Sequence, residues 1–162
     1  MRVILCLALL ASIGATGAAQ AQSCENSWGF AKDGGLEGDA AEAFSPCVQG
    51  DSLGVLCIGP ALMVTYTPPQ GALDTPPYGD EYWPITLSIS DFTYSDYANF
   101  LGATGEFGFV RVAWDRNHPL FEALQTGASV DISVPTFNLH GTVSLAGSRA
   151  AISQVIEACQ NN

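Results

Sequence analysis

From Ser129 to Leu145 the chain changes polarity at almost every residue, and nothing else in it restricts the possible folds as tightly. Val130, Ile132 and Val134 alternate with Ser129, Asp131 and Ser133. After Pro135-Thr136 the pattern resumes: Phe137, Leu139, Gly141, Val143 and Leu145 fall on one side, with Asn138, His140, Thr142 and Ser144 on the other. A period of two places successive side chains on opposite faces of a strand, so these runs predict an antiparallel pair with one face buried and one wet. Ile85, Leu87 and Ile89, interleaved with Thr86, Ser88 and Ser90, repeat the pattern, and Phe107–Trp114 is a further run rich in β-branched and aromatic residues. Leu53–Ile58 and Ala61–Tyr66, separated by Gly59-Pro60, read as a hairpin.

Two stretches change to the helical period. One begins at His118-Pro119, with proline at the first helical position, runs through Leu120, Phe121 and Leu124, and stops at Gly127. The other begins at Ser148 as N-cap and carries Ile152, Val155, Ile156 and Cys159 on one stripe, which predicts docking on the sheet. A short turn of helix is expected from Asp39, with Glu42 in capping-box register. Five prolines between Thr67 and Pro84 predict a long loop there. The expected fold is therefore α+β, an antiparallel sheet or sandwich of about six strands with two helices, the C-terminal one packed on the sheet.

The N-terminus pairs Arg2 with the apolar run Val3–Leu10 and then small residues up to Ala19-Gln20-Ala21, the layout of a secretory signal cleaved after Ala21. Residues 22–162 are then a single disulfide-containing domain, and no later stretch approaches the roughly 20 apolar residues of a spanning helix, so no membrane insertion is expected. Four cysteines follow the leader: Cys24, Cys47, Cys57 and Cys159. An even number in an oxidising destination implies two disulfides with three possible connectivities. The nearness of Cys47 to Cys57 favours a local staple between them, with Cys24 and Cys159 joining the ends.

Beyond residue 21, Lys32, Arg111, Arg116 and Arg149 face 16 Asp and Glu, a net charge of −12. That balance repels nucleic acid and anionic membrane surfaces and favours a cationic partner, or serves solubility alone. Spacings for a zinc site, a redox Cys-x-x-Cys, a calcium loop or a nucleotide cradle do not occur, so neither metal nor cofactor is expected. His118 beside Asp115 and His140 beside Asn138 are the two histidines able to carry protons, and they support a hydrolase only as a third choice. His118 reads more simply as a helix cap, and His140 as a solvated residue. No catalytic residue is assigned. The candidate ligand surface is the proline loop, where Tyr78, Tyr82 and Trp83 surround Asp80 and Glu81; stiffly held aromatics and acids suit a cationic or carbohydrate partner. A second aromatic group, Phe92, Tyr94, Tyr97 and Phe100, reads as core and rim of the same layer.

The final segment combines Pro119–Leu124, Gly127, the two alternating strands, Ser144-Leu145-Ala146-Gly147-Ser148-Arg149-Ala150-Ala151-Ile152 and Ala158-Cys159. About a quarter of the chain here resembles exported proteobacterial proteins of the invasion-associated locus B type and related periplasmic proteins of unassigned function. The resemblance implies a non-catalytic envelope or host-interaction protein of a Gram-negative bacterium, and it transfers no site residues. The leading expectation is thus a periplasmic or secreted binding or accessory protein. The alternative is an acidic inhibitor of a cationic secreted lysozyme or protease, steered to its target by charge.

Overall fold

The computed structural model describes residues 27–32, 41–45, 47, 50–58, 61–73, 77, 81–101, 106–109 and 118–160. The leader at 1–21 and Cys24 lie outside them, as do Tyr78, Asp80 and Asp115. Nine strands appear among the described residues: β1 (Gly29–Ala31), β2 (Glu42–Phe44), β3 (Ser52–Ile58), β4 (Ala61–Thr67), β5 (Tyr82–Ile89), β6 (Phe92–Leu101), β7 (Glu106–Phe109), β8 (Ser129–Val134) and β9 (Leu139–Ser144). They form one sheet in the order β1-β2-β3-β4-β7-β6-β5-β8-β9, with every neighbouring pair antiparallel. Helix α1 (Pro119–Thr126) precedes β8, and α2 (Ser148–Gln160) follows β9. The α+β class holds, and α2 packs on β1, β2 and β3 as its apolar stripe predicts.

Alternation sets the face of each strand. Trp83, Ile85, Leu87 and Ile89 on β5, Val130, Ile132 and Val134 on β8, and Leu139 and Val143 on β9 are buried in one cluster that also takes in Leu53, Val55 and Val64 from the other half of the sheet. Each fully buried Leu, Ile or Val contributes roughly 1.5–3 kcal/mol relative to exposure, so this shared cluster holds the halves together. The sheet also curls until its edges meet. The Trp28 backbone N–H donates to Ala146 O at 3.1 Å, and its indole Nε1–H donates to Ser144 O at 2.8 Å. Gly147, at φ 85°, keeps the chain close to Ser27 and Trp28 at that junction.

Local chemistry explains the helix boundaries. His118 is the N-cap of α1: its Nδ1 accepts from the Leu120 N–H at 3.2 Å, and Pro119 occupies the first helical position, where the missing N–H costs nothing. Gly127 closes that helix with an N–H donated to Ala123 O. In α2, Ala151, Ile152, Val155 and Cys159 are buried. Ser148 does not cap its own helix; its buried hydroxyl donates to Leu124 O at 2.7 Å and so fastens the start of α2 to the end of α1.

Three further expectations are corrected. Glu42 belongs to strand β2, not to a helical turn from Asp39; Ala41 and Ala43 are buried while Glu42 and Phe44 point away, a period of two that the capping-box match obscures. Regular structure also reaches into the proline stretch, because β5 starts at Tyr82 and includes Pro84. Pro84 is tolerated there since β5 pairs with β6 alone at that height, β8 joining only at Thr86–Ser88. Finally, the disulfide is Cys57–Cys159, with Cα atoms 5.8 Å apart, and not a Cys47–Cys57 staple with a Cys24–Cys159 tie. The β2–β3 register pairs Ala43 with Val55, and the Cys57 N–H donates to Ala41 O. Cys47 therefore lies about six residues, or roughly 20 Å, along the ribbon from the position facing Cys57. Cys57 instead faces the core, where α2 delivers Cys159; Cys47 is in a disulfide of its own.

Candidate functional site

The outward side chains of β6, β5, β8 and β9 line up in two rows across four strands. Ser95 pairs with Thr86, Thr86 with Ser133, and Ser133 with His140; in the next row Thr93 pairs with Ser88, Ser88 with Asp131, and Asp131 with Thr142. All eight are partly or fully exposed. Opposite partners sit within reach of one another, and two contacts form along the rows. The Thr86 and Ser95 hydroxyls lie 3.0 Å apart, and the Thr142 hydroxyl donates to Asp131 Oδ1 at 2.7 Å.

These rows form one wall of a groove of about 360 Å³, lined by Thr86, Ser88, Asp131, Ser133, His140 and Thr142, and also by Asp51, Ile132 and Gly141. Asp51 reaches the site because Gly141 has no side chain: a Cβ at that position would collide with the Asp51 carboxylate. The carboxylate is fixed from the other side by Tyr66, whose hydroxyl donates to Oδ1 at 2.6 Å. Tyr66 is buried on β4. Burial first, then the hydrogen bond and charge of Asp51, hold its phenol well above the ordinary value of 10.0 and keep it a neutral donor.

The electrostatic character is plain. Two carboxylates and an array of hydroxyls face the groove, and the Lys and Arg side chains among the described residues, Lys32 and Arg149, lie elsewhere. No group of three His, Cys, Asp or Glu able to hold a metal ion occurs among the described residues. His118 is used by α1, with its ring edge-on to Tyr94 and Phe121.

The residues expected to form the ligand surface divide. Glu81 and Tyr82 are exposed at the start of β5, whereas Trp83 turns into the core and meets Phe137 edge to face at 5.4 Å; Tyr78 and Asp80 lie outside the described residues. Tyr97, read from the sequence as core or rim, is 56% exposed on β6, two pairs along from the Tyr82–Asn99 pair, and Tyr82 is 61% exposed. Both tyrosines share the outward face with the groove. The sequence shows Thr86, Ser88, Asp131 and Ser133 only as the polar halves of separate strands. Their assembly depends on β5 lying beside β8, a pairing across more than 40 residues that local patterning does not encode.

No family model, no curated protein and no solved structure matches the chain. Among the described residues no helix is long and apolar enough to cross a membrane, and the intramolecular disulfide is compatible with a periplasmic or extracellular location.

Proposed function

We propose that the chain is a periplasmic or secreted binding protein whose ligand surface is the outer face of β6, β5, β8 and β9. The observation that carries this reading is the pair of polar rows, solvent-open and mounted on a sheet whose other face is solid core. Groups fixed on strands lose little freedom when they meet a ligand, which favours recognition. A disulfide between β3 and α2 suits an oxidising compartment, in line with the leader-like N-terminus and with the resemblance of the C-terminal segment to exported proteins of the invasion-associated locus B type. Export is tested by N-terminal sequencing of the protein from periplasmic and culture fractions: a start at Gln22 supports it, and intact Met1 in the cytosol overturns it.

A second reading, an acidic inhibitor of a cationic secreted hydrolase, draws on the two groove carboxylates and the net negative charge. Pull-down with lysozyme or a basic protease separates the two. Capture that persists at about 0.5 M salt favours the inhibitor, whereas capture lost on screening is charge alone.

A further inference from the structure

We infer that the outer face of β6, β5, β8 and β9 binds a neutral carbohydrate chain, with Tyr82 and Tyr97 as stacking platforms and the groove as the polar end of the site. This rests on the binding-protein reading above and names the ligand class it leaves open. Each part of the face meets a feature of a glycan. Threonine and serine hydroxyls both donate and accept, as sugar hydroxyls do, and six of the eight positions in the two rows are Thr or Ser. Asp131 contributes a planar acceptor beside Thr142 suited to a vicinal diol, and Asp51 another, held in place by Tyr66.

The aromatic half of the argument is independent of the polar half. Tyr82 and Tyr97 are 61% and 56% exposed although each stands on a strand whose other face is core. A tyrosine ring presents a large, rigid apolar surface with a polar tip, and the C–H faces of a pyranose ring cover such a surface well. Pro84, exposed between them on β5 and paired with Tyr97, extends the platform without adding a charge. From Tyr82 to Ser88 the face runs about 20 Å along the strand, and at Thr86–Ser88, where β8 and β9 join, it is about 15 Å wide across four strands, enough for several sugar rings.

Charge selects among the possible chains. Carboxylates in the groove, with no Lys or Arg there among the described residues, disfavour uronate or sulfate polymers and nucleic acid. A cationic peptide would satisfy the carboxylates, yet it would leave six neutral hydroxyls and two exposed tyrosine rings without matching groups. A neutral glycan uses all of them.

Isothermal titration of the disulfide-intact protein with cellohexaose, maltohexaose and chitohexaose tests the assignment, with polygalacturonate and hexalysine as charged comparisons. Binding of at least one neutral hexasaccharide is expected, and it should be little changed on raising salt to about 0.5 M. Y82A and Y97A should each weaken it about tenfold, and D131A about two- to tenfold, at unchanged Tm because all three side chains are exposed. Failure of every neutral hexasaccharide to bind, or binding indifferent to all three substitutions, overturns the glycan assignment. Binding of hexalysine alone, fading with salt, overturns it too while leaving a binding protein in place. Release of new reducing ends during titration would leave the glycan assignment standing and overturn the non-catalytic reading.

Discussion

The two halves of the sheet solve the same packing problem in opposite ways. In the half built from β5, β6, β8 and β9, one side of each strand is core and the other is water, so inward Ile85, Leu87, Val130 and Ile132 alternate with outward Thr86, Ser88, Asp131 and Ser133. In the half built from β1 to β4, strand β4 has no wet face: Leu62, Met63, Val64, Thr65 and Tyr66 are all buried, and α2 lies against its neighbours. The contrast separates two tasks. The first half leaves one face to solvent, the face proposed to bind ligand; in the second, β3 and β4 are buried on both faces, and β3 carries the covalent tie.

Perturbing each half should expose that division. The largest effect is expected from C57S/C159S: on the chain-entropy account, a bridge across 102 residues contributes about 4–5 kcal/mol, read as a urea midpoint below that of the oxidised wild type. Next comes L87A, which empties a fully buried position on β5 and should cost about 2–5 kcal/mol in the same assay.

Tyr66 offers a test that depends on pH. Its phenol is raised above the ordinary 10.0, so its contribution is complete at lower pH and is lost as pH climbs past about 10. Thermal melts should therefore fall above that pH, more steeply in wild type than in Y66F. The same substitution, by taking the hydroxyl from Asp51, should cost about 1–2 kcal/mol near neutral pH. The smallest effect belongs to the outer face: S88A, next to L87A in sequence, should stay within about 0.5 kcal/mol of wild type. If S88A and L87A proved equally damaging, the distinction between a working face and a structural one on β5 would be wrong.

The same contrast explains what could be read from the residues alone. Strands β5, β8 and β9, and both helices, are legible because a wet face imprints a period, and because Pro119 and Gly127 mark the ends of α1. Strand β1 is three residues long, too short for any period to register, and in β2 the alternation from Ala41 to Phe44 is masked by the capping-box match at Glu42. Strand β6 escapes notice because Asp96 interrupts its inward-facing series of Phe92, Tyr94, Ala98 and Phe100; the structure accommodates it by accepting the Tyr94 hydroxyl at 2.7 Å. The groove is illegible for another reason. Its residues come from three strands and the approach to β3, and only long-range pairing gathers them. Nearness in sequence likewise misleads for the cysteines, since strand register, not chain distance, decides which thiols meet.

The clasp between β3 and α2 also imposes an order in time. Cys57 belongs to an early strand, while Cys159 sits in the last described helix, so the lock cannot shut until six further strands and both helices have emerged behind it. Until then β3 has no covalent tie to the helix that will cover it. The chain is thus free to revise its strand partners while it lengthens, and is committed to one arrangement only by the arrival of its closing helix and an oxidant.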